Sequence, residues 1–175
     1  KKLIVTLCLL LTFGFQLSAQ SFEVSYAPDL LKEDFSGNIL LYLSKENKAP
    51  KNIFVGLELV PVYRMVVTNL GAKEVAVFND QAISYPVELS NIERGEYYVQ
   101  AVFDLNLGDS NIGNSAGNLY SLPTKVNFTK DFDAVFKIEA TEVEPSINFV
   151  ETELLKELSV KSELLSKFHK KDIFV

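Results

Sequence analysis

The sequence has few of the residues that build reactive or cross-linked sites. Its 175 residues include one cysteine, one histidine, one methionine and no tryptophan. The cysteine, Cys8, lies within the first apolar stretch, and one histidine, His169, is too few for an ordinary zinc site. No disulfide framework is possible within the chain, and the sequence predicts no bound metal and no cofactor. A folded domain must therefore be stabilised by its apolar core.

Basic residues are also scarce. The chain has 17 Lys and Arg against 23 Asp and Glu, which gives a net charge of −6. Apart from the pairs Lys1–Lys2 and Lys170–Lys171, the basic residues are scattered along the sequence. Nucleic acids and anionic lipid surfaces attract proteins through clustered positive charge. The sequence therefore predicts neither kind of partner.

The first residues have the pattern of an export signal. Lys1 and Lys2 precede an uncharged, mainly apolar run from Leu3 to Phe15, and small residues follow at Ser18 and Ala19. A membrane-spanning helix needs about 20 apolar residues, so this run is too short to remain as an anchor. We predict a signal peptide at residues 1–19 that is cleaved before Gln20, a periplasmic or extracellular location, and no membrane insertion after cleavage.

The remaining sequence has the alternating pattern of β-strands. FEVSYA puts Phe22, Val24 and Tyr26 on one face and polar residues on the other, which is typical of a half-buried strand. Further strands are predicted at NILLYLS, VYRMVVTN, EVAVF, EYYVQAVFDL, TKVNF and AVFKIEA. Many short strands without helices between them favour an all-β class, and we predict an immunoglobulin-like β-sandwich over residues 20–140.

Tyr97 follows a turn glycine at the start of one predicted strand. Two interpretations fit this position. Tyr97 either forms the tyrosine corner of an immunoglobulin-like sandwich, bonding back to upstream backbone, or it is an ordinary core tyrosine.

Residues 141–175 differ in composition and predicted secondary structure from the rest of the chain. TEVEPSINFVETE is acidic and indicates an exposed connector, KELSVKS predicts a strand containing Leu158 and Val160, and SELLSKFHKK predicts a short helix capped by Ser162. Three apolar residues should share one side of that helix: Leu164, Leu165 and Phe168. We predict a junction whose terminal residues, from Ile173, begin a strand of a downstream domain. The alternative is a tail that folds back on its own sandwich.

The stretch GNSAG, Gly113 to Gly117, fits the G-x-S-x-G pattern of serine hydrolases. That motif requires a strand before the serine and a helix after it, whereas the flanks here are LGDSNI and NLYSLP. We therefore predict that Ser115 is not catalytic, that Ser115→Ala changes stability by less than about 0.5 kcal/mol as in a surface loop, and that Gly113 and Gly117 supply positive φ in a long hairpin loop.

Three further candidates are weaker. Asp104 to Asp109, DLNLGD, suggests a calcium loop but lacks the EF-hand glycine position, so a solvated turn is the better interpretation. His169 with Asp172 suggests a metal or acid–base site, although an isolated histidine is more often a surface residue. Tyr98 and Tyr120 are the aromatic residues that we predict as candidates for ligand binding, for example by stacking on a sugar.

A family resemblance is carried by SGNILLYLSKENKAPKN, by ISYPVELSNIERGEYYVQAVFDLN, and by NSAGNLYSLPTKV followed by ETELLKELSVKSELLSKFHKKDIFV. With these stretches, the chain resembles the N-terminal region of secreted bacterial esterases with an α/β-hydrolase fold, the enterochelin-esterase-like group. The resemblance implies a non-catalytic accessory domain whose partner is a downstream hydrolase domain of the same polypeptide, with the nucleophilic serine in that domain. No catalytic residue is carried over to this chain.

Two alternatives remain open. One is a free-standing secreted module that binds glycans or another surface ligand, and the other is an enzyme built on Ser115. Exposed apolar residues near the C-terminus would favour the accessory domain, and a coplanar pair of exposed aromatic rings would favour the binding module.

Overall fold

The computed structural model describes residues 20–52, 60–108, 111–129, 134–146, 150, 152–154, 156, 158–169 and 173. The chain divides into two compact units, Lys1–Pro145 and Ser146–Val175. The described part of the first unit consists of strands, short 3₁₀ turns and loops, and the second unit contains a short helix. The all-β, sandwich-like class predicted from the sequence is confirmed.

The described residues form nine strands, which we number in chain order. They are β1 (Ser21–Tyr26), β2 (Phe35–Ser44), β3 (Val62–Leu70), β4 (Ala76–Phe78), β5 (Ile83–Tyr85), β6 (Gly95–Asp104), β7 (Leu119–Ser121), β8 (Thr124–Phe128) and β9 (Val135–Val143). Three 3₁₀ turns lie in the connections, at Pro50–Asn52, Leu89–Asn91 and Ile112–Asn114.

The strands are hydrogen-bonded in the order β4-β1-β9-β7-β6-β2-β3-β5, with β8 paired to β6. β1 and β9 run parallel, and the other pairs are antiparallel. The short strand β7 joins the two halves of this path, because Leu119 lies opposite Phe103 of β6 on one edge and opposite Val143 of β9 on the other.

Aromatic contacts show that this continuous sheet folds over on itself. The ring of Tyr26 in β1 is 5.5 Å from the ring of Phe103 in β6, although β9 and β7 separate these strands in the hydrogen-bonded order. Phe22 in β1 likewise contacts Phe128 in β8, with ring centroids 6.0 Å apart. The two halves of the sheet therefore pack face to face as the layers of a sandwich.

The core between the layers follows from the alternation in the sequence. Phe22, Val24 and Tyr26 of β1 are all buried, as predicted. Burial of each such side chain contributes about 1.5–3 kcal/mol relative to exposure. The inner faces of the other long strands complete the core with residues that include Ile39, Leu41, Leu43, Tyr97, Val99 and Phe103.

All seven strands predicted within residues 20–140 are present among the described residues, and the sequence missed two. β5 and β7 have three residues each, too few to show a period, and Ile83 and Tyr85 of β5 are exposed rather than buried. β9 also continues to Val143, beyond the boundary predicted after Ala140. Thr141 and Val143 continue the outward positions of that strand, so the acidic segment after Ala140 starts as strand and not as connector.

The outer face of β6 is buried as well from Gln100 to Asp104. Gln100 and Asp104 point away from the core, yet both are almost fully buried. The Pro50–Asn52 turn covers this face, since the Lys51 backbone N–H donates to Gln100 Oε1 at 3.1 Å. The loop around the Ile112–Asn114 turn covers it next to Asp104. A small apolar cluster under these segments contains Leu40, Tyr42 and Val102.

In the second unit, the predicted short helix is confirmed as α1 (Glu163–His169). Ser162 caps it, because the Leu165 backbone N–H donates to Ser162 Oγ at 3.4 Å. The Ser166 N–H donates to Ser162 O at 2.9 Å and so closes the first helical turn. A serine at this position satisfies one of the N–H groups that a helix start leaves unpaired.

The strand predicted at KELSVKS is wrong for the residues that the structure describes there. Leu158 to Val160 have no regular secondary structure and both apolar side chains are exposed, while Lys161 forms a single β-bridge. Ile173 does not start a strand: its N–H donates to Ser166 Oγ at 2.8 Å, and its carbonyl accepts from the Ser162 N–H at 2.9 Å. Residues 174 and 175, also part of that prediction, lie outside the described residues, as do Asp172 and the predicted signal peptide at residues 1–19.

Candidate functional site

The loop with the G-x-S-x-G pattern is the first candidate site, because Ser115 is its possible nucleophile. Ser115 has 0% of its surface exposed, and its hydroxyl donates to Asn111 O at 2.7 Å. The Ile112–Asn114 turn precedes it and β7 follows it, so the strand-serine-helix arrangement of a nucleophile elbow is not formed. The other residue considered for chemistry, His169, belongs to the second unit. The geometry around Ser115 is that of a structural serine.

The two glycines of this pattern have different roles. Gly117 adopts φ +86°, which confirms the predicted left-handed conformation. Gly113 is not among the glycines with positive φ, so the same prediction is wrong for it. A Cβ at Gly113 would overlap the backbone carbonyl of Lys51, and close approach of two backbone segments is what requires glycine there.

Lys51 is the most unusual residue at this contact because its charged group is buried. Only 7% of its side chain is exposed, against 16% for its partner Glu144, and Lys51 Nζ lies 2.8 Å from Glu144 Oε2. The ammonium also donates to Gly113 O at 2.9 Å and to Asn114 Oδ1 at 2.8 Å. With Asn52 Oδ1 at 3.3 Å, the charge has oxygen acceptors on several sides. A buried charge is tolerated only with such partners.

An aromatic ring lies on the remaining side of this ammonium. Lys51 Nζ is 4.7 Å from the centroid of Tyr120 in β7, within the range of a cation–π contact. The pKa of Tyr120 is raised, first by burial and then by the negative charges of Glu144 and Glu142. The lysine thus joins the Pro50–Asn52 turn, the GNSAG loop and the end of β9 at one point.

A buried amide extends the network into β6. Gln100 Oε1 accepts the Lys51 backbone N–H, and Gln100 Nε2 donates to Ser121 O at 2.7 Å. The hydroxyl of Ser121 accepts the Ala101 N–H at 2.9 Å. β6 pairs with β8 up to Val99 and with β7 from Val102. Between these two pairings, the side chains of Gln100 and Ser121 form the hydrogen bonds that a neighbouring strand would otherwise form.

A second buried amide holds the other end of the loop. Asn118 Oδ1 accepts the backbone N–H groups of Leu105 and Asn106, at 2.7 and 2.9 Å. Asn118 Nδ2 donates to Ile112 O at 2.9 Å and, at 3.5 Å, to Asp104 Oδ1. Asn118 therefore uses both its acceptor and its donor capacity. We call Lys51, Gln100, Ser115, Asn118, Ser121 and Glu144 the polar cluster.

The chemistry of the polar cluster is structural. Its side chains are buried, except for the partly buried Glu144, and each forms a hydrogen bond within the cluster or to a neighbouring loop residue. Among the residues that the structure describes, no group of three or more His, Cys, Asp or Glu side chains is placed to hold a metal ion. In the proposed calcium loop, Asp104 is buried beneath Asn118, Asn106 Oδ1 lies 3.4 Å from the Gly108 N–H, and Asp109 falls outside the described residues.

The two tyrosines predicted as ligand candidates lie on the outer side of the sheet. Tyr98 lies opposite Ser44 of β2 and Lys125 of β8, and it is half-buried. Tyr120 lies opposite Val102, farther along β6, and Lys51 lies over its ring. The structure does not bring the two together as one stacking surface.

Tyr97 is an inner-face residue of the core. Its ring meets Phe128 edge-on at 5.2 Å, and Lys45 Nζ lies 5.7 Å from its centroid. The tyrosine hydroxyl that bonds to distant backbone belongs to Tyr26, which donates to Leu70 O at 3.0 Å. These contacts favour the core-tyrosine interpretation of Tyr97 over the tyrosine corner.

The second candidate site is a groove, which no motif in the sequence predicts. It has a volume of about 400 Å³ and lies at one end of the first unit, where β2 and β6 diverge beyond the Ser44–Tyr98 pair. Its apolar lining comes from Leu43, Val60, Pro61, Pro86, Val87, Ile92 and Tyr97, and its polar rim from Ser44, Lys45, Glu46, Asn91 and Glu93.

Comparison of the chain with protein-family models, with curated proteins and with solved structures gave no match in any of the three. The resemblance to esterase N-terminal regions therefore rests on the sequence motifs alone. Within the described residues, no helix is long and apolar enough to cross a membrane.

Proposed function

We propose that this chain is a non-catalytic accessory module of a secreted esterase-type α/β hydrolase, and that its second unit packs against the hydrolase domain of the same polypeptide. One observation carries the proposal. Six described apolar side chains of the second unit are largely exposed, with exposed fractions from 56% to 99%. They are Val150, Leu154, Leu158, Val160, Leu164 and Phe168. Soluble proteins seldom leave so many large apolar residues uncovered in a short segment, and such residues commonly mark a contact surface.

Helix α1 shows the kind of contact that fits. Leu164 and Phe168 are four residues apart and therefore lie on the same side of the helix. Both are 79% exposed, whereas a surface helix normally buries its apolar side. An amphipathic helix with one uncovered apolar side is suited to a hydrophobic groove on a partner domain.

The non-catalytic part of the proposal is supported by Ser115. Its side chain is buried and bonded to Asn111, and the flanking elements do not form an elbow. Hydrolysis is therefore assigned to a serine of the partner domain. The esterase class comes from the sequence resemblance, and export follows from the predicted signal peptide.

The test compares two variants of equal charge change in the chain alone and in the polypeptide that includes the hydrolase domain. Leu164→Asp with Phe168→Asp adds two negative charges on the apolar side of α1, and Lys167→Glu changes the charge by the same amount without removing an apolar residue. We expect the double variant to lower the melting temperature of the longer polypeptide by several degrees, and Lys167→Glu to have little effect. In the chain alone both variants should be nearly neutral, because the altered side chains are already exposed.

If the double variant lowers the melting temperature of the chain alone as much as that of the longer polypeptide, α1 packs within its own chain. That result would contradict the proposal. A gene that encodes this chain without a hydrolase domain would also contradict the proposal. A fluorophosphonate probe supplies an independent check: we expect it to label the hydrolase domain and to leave Ser115 unlabelled, and covalent labelling of Ser115 would overturn the non-catalytic assignment.

A further inference from the structure

The groove at the end of the first unit combines an apolar lining with an ion pair at its rim. Lys45 and Glu93 form this pair, with Lys45 Nζ 2.5 Å from Glu93 Oε2. Glu46, also on the rim, is paired with Lys48 at 2.6 Å. A volume of about 400 Å³ lies within the range of small-molecule sites, which are mostly apolar with a few polar groups that fix orientation.

The position of the Lys45 ammonium shows which charge the groove accommodates. Its nitrogen lies 5.7 Å from the centroid of the Tyr97 ring while it is bonded to Glu93. The face of an aromatic ring attracts cations and repels anions. A carboxylate and a ring face together therefore form a place for an ammonium group, and in this structure the chain's own lysine occupies it.

The lysine is held there weakly. The side chains of Lys45 and Glu93 are 58% and 79% exposed, and exposed ion pairs contribute only about 0–1 kcal/mol. Lys45 can therefore move into solvent at small cost, whereas Glu93 and Tyr97 stay with the β5–β6 connection and β6. Tyr97 itself lines the groove, so its ring lies beside the position that the Lys45 ammonium would leave.

We propose that this groove binds a small soluble molecule that has an apolar body and a primary ammonium group, and that the ligand ammonium replaces that of Lys45 between Glu93 and Tyr97. The apolar body lies against Val60, Val87 and Ile92. The net charge of −6 favours a cationic ligand over an anionic one at long range. This proposal concerns the first unit and does not depend on the hydrolase partner.

The test uses three probes of similar size with different charge: phenethylamine, phenethyl alcohol and hydrocinnamate. Binding to the whole chain is followed by NMR through the methyl groups of Val87 and Ile92. Lys45→Ala removes the competing ammonium, and Lys125→Ala is the matched control. Lys125 forms a similarly exposed pair with Glu96, at 2.7 Å, and neither residue lines the groove.

We expect phenethylamine to shift the methyl signals of the unaltered chain and to bind Lys45→Ala about fivefold more tightly. A factor of about five corresponds to about 1 kcal/mol, the largest contribution usual for an exposed ion pair. Phenethyl alcohol should gain less than the amine, and Lys125→Ala should change nothing. Adding Glu93→Gln to Lys45→Ala should cancel the gain.

Other outcomes overturn the proposal. Tighter binding of hydrocinnamate to the unaltered chain, lost in Lys45→Ala, would show an anion site. Equal binding of all three probes that is insensitive to Lys45 would show an apolar groove without charge selectivity. No shift of the two methyl groups by phenethylamine at millimolar concentration would show that this class of ligand does not bind.

Discussion

The two faces of β6 are both buried, but they are buried by different means. The inner face packs Tyr97, Val99, Ala101 and Phe103 against apolar residues of both layers. The outer face places Gln100 and other polar residues beneath a loop and a turn, where hydrogen bonds hold them. The stability of the inner side therefore depends on buried apolar area, whereas that of the outer side depends on the positions of individual hydrogen-bonding atoms.

This difference has consequences for substitution. Apolar burial is not directional, so a core tolerates changes that keep volume. A buried polar network tolerates almost none, since removing one partner leaves another polar group unsatisfied. We therefore expect small changes in the polar cluster to lower the free energy of unfolding by more than their size suggests.

The largest effect is expected at Gly113. Gly113→Ala adds one methyl group that would overlap the Lys51 carbonyl, so the turn and the loop must separate. Because the Lys51 ammonium bonds to Gly113 O, the separation would also break part of the polar cluster. We expect a loss of about 4 kcal/mol or more in the free energy of unfolding, measured by urea denaturation.

Gly117→Ala is the matched control in the same loop. Nothing lies within 4 Å of a Cβ built at Gly117, so this change adds only the strain of an alanine at φ +86°. That strain is about 1–2 kcal/mol. If Gly113→Ala costs no more than Gly117→Ala, the close contact with Lys51 does not limit the loop.

Removing the buried charge should have the next largest effect. Lys51→Met keeps most of the apolar length of the side chain over Tyr120 but leaves Glu144 without its ammonium partner in a site where 16% of its side chain is exposed. Breaking a buried pair from one side costs about 3–5 kcal/mol, and the partial exposure of Glu144 puts our expectation near 3 kcal/mol. Urea denaturation measures the loss.

Two comparisons sharpen the result for Lys51. Lys125→Met breaks the exposed pair with Glu96 and should cost less than about 1 kcal/mol. Combining Lys51→Met with Glu144→Gln should cost less than the sum of the single changes, because the uncompensated carboxylate is gone. Additive losses would show that the two residues do not act as a pair.

The outer face should also respond to alkaline pH. Burial, with the nearby charge of Asp104, raises the pKa of Tyr42 to about 12, against about 10 in an unfolded chain. The contribution of Tyr42 to stability is thus fully present below pH 10 and is lost as the pH rises towards 12. We expect a loss of about 2 kcal/mol over this interval.

Tyr42→Phe tests this assignment. The variant should show a smaller loss of stability between pH 8 and pH 12 than the unaltered chain, in urea denaturation at fixed pH values. Part of the loss should remain, because burial also raises the pKa of Tyr63 and Tyr97. An unchanged pH profile in Tyr42→Phe would mean that Tyr42 ionises equally well in the folded chain.

Ser115→Ala should cost about 1 kcal/mol, which replaces the smaller value expected from the sequence. The hydroxyl is buried and its bond to Asn111 O is lost, and a typical buried hydrogen bond contributes about 0.5–1.5 kcal/mol. Ser115→Thr, which keeps the hydroxyl but adds a methyl group in a filled site, should cost at least as much. A neutral Ser115→Ala in thermal and urea denaturation would show that the loop is less rigid than its contacts indicate.

The fold was predictable where burial follows a simple period. The alternation in β1 identified residues that are in fact buried, and the serine-capped start of α1 was also predicted from the sequence. β5 and β7 were missed because their conformation depends on the strands beside them rather than on their own three residues.

The polar cluster was not predictable from the sequence. KENKAPKN has the composition of a solvated turn, and nothing local indicates that Lys51 is buried against Glu144, 93 residues farther along the chain. The alternation within EYYVQAVFD puts Gln100 on the face opposite Val99, but it does not show that the GNSAG loop covers that face. Contacts between distant loops depend on how the sheet closes, which no local period encodes.

The smallest effect is expected on the inner face, where one polar atom lacks the partners that the outer face provides. Tyr63 is buried in the core, and its hydroxyl has no hydrogen-bond partner among the described residues. Tyr63→Phe removes that hydroxyl and keeps the ring, so we expect unfolding free energy to stay the same or to rise by up to about 1 kcal/mol. Tyr26→Phe is the matched control: its hydroxyl donates to Leu70 O, and its loss should cost about 1 kcal/mol. If Tyr63→Phe costs as much as Tyr26→Phe, the Tyr63 hydroxyl is bonded in solution, and the inner face depends on a polar contact in the same way as the outer face.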